Sequence, residues 1–211
     1  MKTLKYILVG LTMFTVSSLV AVNLAAAIEK AKYTVLEKEE DFELRQYEAQ
    51  IVAETYVEGS LKDSGNDGFR RLYAYISGDN KKKQSISMTA PVGQEGGSEK
   101  IPMTAPVSQE KKDNQWRITF LMPSDYSLET LPEPLDERVK LKEEPGRLMA
   151  SVTYSGRWSE EGYRENKALL EEFIEKRGLI KKGPAVWARY DPPFMPWFLR
   201  RNEVLIPIEQ D

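Results

Sequence analysis

"ELRQYEAQIVAETYVEG" (residues 43–59) lies over "KLKEEPGRLMASVTYSG" (residues 140–156) without a gap. Leu44 then meets Leu141, Arg45 meets Lys142, Ile51 meets Leu148, Val52 meets Met149, Ala53 meets Ala150 and Gly59 meets Gly156. Few of these matches are identities; the shared register is the signal. Apolar and polar residues alternate in "FELRQYE" and "QIVAETYVE", and again around "RVKLKEE" and "RLMASVTYSG", as they do in strands with one buried face. Helical spacing follows each pair. Phe69, Leu72, Tyr73 and Ile76 fall at i, i+3, i+4 and i+7 and predict a short amphipathic helix stopped by Gly78. A second helix is predicted from about Ser159, its cap, to Arg177, with Glu160 and Glu161 in the first turn, Lys176 and Arg177 in the last, and Gly178 after it. "WRITFLMP" and "EVLIPIE" supply further strands. Strand pair, helix and strands thus occur twice, which predicts a pseudo-twofold α+β domain. Two such halves leave a concave seam between them, where a small ligand would sit.

The first 27 residues stand apart from this pattern. Lys2 and Lys5 precede an uncharged apolar run from Tyr6 to Val22, and Ala25 and Ala27 flank Ala26. This is the layout of a secretory signal cut after Ala27, which would make the protein periplasmic or secreted. The apolar run also approaches the roughly 17 to 25 residues of a membrane span, so an uncleaved N-terminal anchor is the alternative. The rest, residues 28–211, has the length of one domain.

The chain has 30 basic and 33 acidic residues, and losing Lys2 and Lys5 deepens the negative balance. That sign gives no electrostatic footprint for nucleic acid. There is no Cys and no His. Disulfides, thiolate nucleophiles, imidazole metal ligands and Ser-His-Asp triads are excluded together.

"ISMTAPV" (residues 86–92) returns as "IPMTAPV" (residues 101–107). The alternation places Ile, Met, Ala and Val on one side, and the polar, Gly-rich connector suits a hairpin. Pro91 and Pro106 cannot donate to a ladder, which puts them at an edge or bulge. Met88 and Met103 either fill irregular core space or face a ligand.

"YISGDNKKKQSISMTAPV", the second "IPMTAPV", "ITFLMPSDYSLETLPEP" and "YDPPFMPWFLRRNEV" together resemble the SOUL haem-binding protein family over nearly all of residues 28–211. The resemblance implies paired β-α-β repeats forming a distorted, eight-stranded antiparallel barrel with two flanking helices. It also implies non-catalytic binding of haem or another tetrapyrrole in a shallow hydrophobic pocket between the first helix and a late loop. By motif register the pocket positions are Asn66, Phe69 and Tyr73 on the helix "DGFRRLYAYISG" and Met195 in the loop "YDPPFMPWFLRRNE", with Met88 and Met103 as wall residues. Basic residues common at such positions are missing here; Arg70 and Arg71, and in the loop Arg200 and Arg201, are the nearby substitutes for pairing with propionates. A histidine axial ligand, proposed for some members, is impossible in this chain. Iron would be held by Tyr73, Tyr75 or Met195, or not directly by the protein.

Two other functions remain open at this stage. "PPFMPWFLRR" mixes Phe194, Trp197, Phe198 and Leu199 with Arg200 and Arg201, a composition found at bilayer interfaces. The same aromatics could instead plug the seam as a proline-stiffened lid. The SOUL fold also resembles gyrase-inhibitor-like domains, some of which are hydrolases using Glu and Tyr in the seam. Tyr154 lies on a seam-forming strand, but no spacing singles out a catalytic pair.

Overall fold

A computed structural model describes residues 28–82 and 97–209. The predicted leader, the first heptapeptide and Met88 lie outside the described residues. In chain order the elements are β1 (Tyr33–Glu39), β2 (Phe42–Tyr47), β3 (Gln50–Val57), α1 (Leu61–Ser77), β4 (Asn80–Lys81), β5 (Val107–Lys112) and β6 (Gln115–Leu121). There follow β7 (Glu133–Pro134), β8 (Lys140–Glu144), β9 (Arg147–Tyr154), α2 (Glu160–Lys176), β10 (Ile180–Lys181), β11 (Val186–Arg189), a 3-10 turn (Trp197–Leu199) and β12 (Asn202–Glu209). One curled antiparallel sheet runs β1-β2-β9-β12-β11-β5-β6-β3-β8, with β10 added on β12, and β4 pairs β7 separately. This is an α+β half-barrel carrying two helices.

The ladder registers reproduce the gapless alignment. Leu44 on β2 faces Ala150 on β9, and their aligned equivalents, Leu141 on β8 and Ala53 on β3, face each other in turn. Strand β3 continues to β6 as β9 continues to β12, and β5 meets β11 between the halves. The matched glycines have a physical reason: Gly59 and Gly156 sit at φ +113° and +142°, where any side chain is strained. Both helices begin on a serine. Ser60 Oγ accepts from the amide of Asp63, and Ser159 Oγ accepts from that of Gly162, at 3.1 Å each.

Helix α1 is longer than its apolar spacing predicts. Its first turns, "LKDSGNDG", precede the apolar spacing and are rich in glycine and small polar residues, which disfavour helix. The glycines are there for the sheet. A Cβ on Gly68 would lie 2.6 Å from Ile118 Cγ1, and one on Gly65 would lie 2.7 Å from Gln109 Oε1. Gly68→Ala is therefore expected to lower stability by about 1 to 2 kcal/mol, since overpacking of this kind costs about 1–3 and helix propensity returns at most about 1. A urea melt at neutral pH checks this; a midpoint equal to the parent's would mean that Ile118 yields freely.

The second heptapeptide departs from expectation: residues 101–106 are not a strand. Only an isolated bridge ties Ala105 to Lys30. The segment is pinned by scattered bonds, including Ile101 N to Ile76 O, Ala105 N to Glu29 O, and Thr104 Oγ1 to Leu121 O. Ile101, Ala105 and Val107 of the apolar parity are buried, but so is Thr104 of the other parity, through its bond to Leu121 O, while Met103 is part-buried. The core packs in clusters under α1, under α2 and on the opposite sheet face, where Tyr47, Met149, Val186, Ala188 and Leu205 meet. The buried hydrophobic residues run from Leu44 to Ile208, so the chain from Ile28 onward carries a core of its own.

Two arginine-centred ion networks are buried in the sheet. Arg45 on β2 grips Glu203 on β12 through both Nη atoms, at 2.9 and 3.0 Å. Arg117 on β6 reaches Glu54, Glu110 and Glu144 at 2.5 to 2.6 Å.

Candidate functional site

The seam between the halves is nearly full. Tyr47, Val52, Met149, Val186 and Leu205 line a void there of only about 50 Å³. The roomy cavity, about 520 Å³, lies instead outside the sheet, between α1, the second heptapeptide and the loop after β11.

Its walls follow from the helical period. Asn66, Phe69 and Tyr73 fall on one stripe of α1 and line it, with Gly65 allowing the helix to approach. Phe69 and Tyr73 stack with centroids 5.7 Å apart and planes 10° from parallel, and Phe69 meets Phe120 edge-on beneath. Together they make a flat aromatic wall whose outer member, Tyr73, is half exposed. Met103, Thr104, Ala105 and Val107 form the facing side, Trp158 one end, and Arg189 to Phe194 the rim with Ile28.

Arg189 is the cation among the residues lining this cavity; the other charged lining residue, Asp191, accepts from the Arg201 amide at 2.6 Å. Strand alternation puts Arg189 on the same face of β11 as Trp187, and its guanidinium lies 5.0 Å from the Trp187 ring and 5.5 Å from the Trp158 ring. Its Nε and Nη2 are shielded from water and have no hydrogen-bond partner. Burial pushes its pKa down to about 10, against the pull of Tyr154. Gln109 donates to Leu61 O and Ser64 Oγ, while its own Oε1, beside Gly65, is buried without a donor. A buried guanidinium stacked on two indoles, with Nε and Nη2 unpaired, has the chemistry to accept an anion.

Other predicted positions lie elsewhere. Met195 is half-buried in the loop, off the cavity lining, and its carbonyl accepts from Arg200 Nε at 2.8 Å. Arg200 also donates to Pro193 O and covers Trp158 at 4.6 Å, so it staples the loop and does not face the cavity. Arg201 donates to Glu203 and to Tyr33. Tyr75 points into the core, its hydroxyl donating to Pro132 O at 2.9 Å, and burial pushes its pKa up. That commitment removes Tyr75 from any ion held in the cavity. Of the spare arginines on the helix, Arg70 pairs with Asp67, and Arg71 with Thr55 and Asp136. The aromatic loop is not a lid: Phe194 is 85% exposed, Leu199 63%, Phe198 58% and Trp197 49%.

Sequence reading missed Arg189, Trp158 and Tyr190. The available signal was the i, i+2 pair Trp187 and Arg189 immediately before "YDPP", a cation on an aromatic strand face leading into the motif loop.

Comparison with known proteins agrees with this architecture. Heme-binding protein 1 of Xenopus laevis is 25% identical over 164 residues, covering 77% of this chain and 81% of its own. Heme-binding protein 1 of Mus musculus is 30% identical over 135 residues, covering 64% and 66%. A crystal structure of a hydrolase from Listeria innocua shares the fold with a TM-score of 0.52 at 15% identity, covering 82% of this chain and 94% of its own. The family model for SOUL heme-binding protein matches residues 28–207, and the chain belongs to that family.

Proposed function

We propose that the chain binds haem or another tetrapyrrole non-covalently and without catalysis, for transport, buffering or sensing in an exported compartment. The observation that carries this reading is the buried Arg189, whose Nε and Nη2 have no partner, beside a largely apolar cavity of about 520 Å³. A volume of this size is within the roughly 300–1,000 Å³ of small-molecule sites. The aromatic pair Phe69 and Tyr73 offers a face for a flat macrocycle, Met103 the opposing contact, and Arg189 a fork for a propionate carboxylate. The names of the relatives supply the ligand class.

Without His or Cys in the sequence, iron would be met by the Tyr73 hydroxyl or the Met103 thioether, or the macrocycle would be held by its face and carboxylates alone. The second case predicts modest affinity and similar binding of hemin and metal-free protoporphyrin. Absorption and tryptophan-quenching titrations with both, on the parent and on Tyr73→Phe, test it. We expect both ligands to bind and the Soret position to be the same in the two proteins. No response to either ligand would sink the function, and a Soret shift confined to the variant would make Tyr73 the iron ligand.

The buried acids favour binding over hydrolysis. Burial works to raise the pKa of Glu203 and Glu144, but Arg45 and Arg117 outweigh it and hold both carboxyls below their usual range. Tyr154 is pushed up to about 12 by burial. Neither kind of group is poised as a base near neutral pH.

A further inference from the structure

We infer that the loop from Phe194 to Leu199 docks the protein on an anionic lipid surface, with the cavity mouth facing the bilayer. The tip is apolar and held out of the fold: Phe194, Phe198 and Leu199 are 85%, 58% and 63% exposed. It is also stiff. Pro192, Pro193 and Pro196 restrict the backbone, Leu199 N bonds Pro196 O, Arg200 N bonds Trp197 O, and the Arg200 side chain ties Met195 O and Pro193 O together. A rigid display of large apolar side chains to water marks an interaction surface.

Three observations select a bilayer as the occupant. Trp197, half exposed, lies under the Arg157 guanidinium at 5.7 Å, and Arg200, directly after Leu199, lies over Trp158 at 4.6 Å, so two cations stand at the base of the apolar tip on a chain whose net charge is −3. This aromatic and basic arrangement suits the headgroup boundary. Phe194 belongs to the loop and to the cavity rim at once. Ile28 lines the same cavity, so the chain that carries the apolar run Tyr6 to Val22 joins the domain at this edge. Retained, that segment would hold this face against a membrane. Among the described residues no helix is long and apolar enough to cross one, and the loop contact proposed here is peripheral. A cavity opening at the bilayer would let an apolar ligand pass without crossing water; that consequence rests on the proposed tetrapyrrole reading, whereas the docking does not.

The test uses the chain from Ile28, which carries its own core, with vesicles of phosphatidylcholine alone or mixed with phosphatidylglycerol. We expect co-sedimentation with the mixed vesicles and a blue shift of tryptophan emission. Phe198→Ser combined with Leu199→Ser, both off the cavity lining, should weaken vesicle binding about tenfold or more by removing buried apolar area. The hemin titration of that variant should match the parent's, which separates the two readings. Failure of the parent to sediment overturns the docking, as does a double variant that sediments equally well. A parent that is dimeric in solution, and monomeric once Phe198 and Leu199 are replaced, would also overturn it by giving the tip to a second copy.

Discussion

Arg189→Met is expected to make the ligand-free protein more stable and its porphyrin binding weaker. The stability gain follows from removing a buried cation whose Nε and Nη2 have no partner. Leaving such a group unsatisfied costs about 1–3 kcal/mol or more, and the stacking on Trp187 and Trp158 returns about 0.5–1 kcal/mol per ring. A net gain of about 1 kcal/mol is expected, read as a raised urea midpoint. The binding loss follows from the same atoms: truncating one partner of a buried, hydrogen-bonded charge pair costs about 2–5 kcal/mol, or at least about thirtyfold in affinity. Protoporphyrin dimethyl ester isolates the cause because it has no free carboxylate. The parent and Arg189→Met should bind the ester alike and differ only for the diacid, a coupling that a double-mutant cycle measures. If the variant is less stable and binds the diacid as well as the parent does, Arg189 is a packing element between two indoles.

What could be read from the sequence divides along physical lines. The gapless match of residues 43–59 with 140–156 gave the pseudo-twofold because strand register is set by which residues face the core, and both copies kept the same ones. Helix α2 was legible at both ends from its cap and charges. The first turns of α1 were not, since the glycines that disfavour helix there are those the sheet demands at Gln109 and Ile118. Strand β11 was too short to show a period, with Arg189 as its fourth residue. The second heptapeptide shows the opposite failure: it alternates with period 2, but Thr104 of the polar parity is buried on Leu121 O, and only a ladder partner makes such a segment a strand. At the site, the motif register of the SOUL resemblance picked out Asn66, Phe69 and Tyr73, which the helical period puts on one stripe. The loop arginines could not be assigned because their directions depend on partners distant in sequence, Glu203 and Tyr33 for Arg201 and a pair of loop carbonyls for Arg200. Whether the aromatic loop covered the fold or left it was equally hidden, since composition is the same either way.

Glu203→Gln is expected to be the most destabilising single change in the sheet. The carboxylate is fully buried and accepts from Arg45 Nη1 and Nη2, Arg201 Nε and Nη2, Tyr190 and Thr153. Neutralising it leaves Arg45, itself almost fully buried, without its bidentate partner; breaking one side of such a pair costs about 3–5 kcal/mol. The pH dependence has a definite sign. Burial tends to raise the Glu203 pKa, but Arg45 and then Arg201 outweigh it, so the folded value is depressed. A depressed acid contributes stability that is fully present above its unfolded pKa of about 4.3 and is lost as pH falls through the folded value. Parent stability should therefore fall steeply below about pH 4, while the difference between parent and Glu203→Gln narrows over that range. Glu144, held down by Arg117 against its own burial, titrates in the same window, so the difference between the two proteins is the informative quantity, measured by urea melts from about pH 3 to pH 7. Arg45→Met separates the contributions further. It leaves Glu203 with Arg201 alone, which lifts the folded pKa and moves the acid transition to higher pH. Because Tyr190 donates to Glu203 and also lines the cavity, Glu203→Gln frees a cavity wall as well as a core arginine. Hemin affinity should fall at neutral pH in Glu203→Gln, where the protein is still folded. A variant with parental stability at pH 7 and a parental acid slope would show that Arg45 and Arg201 find water once the carboxylate is gone, and that the network does not hold β2 to β12.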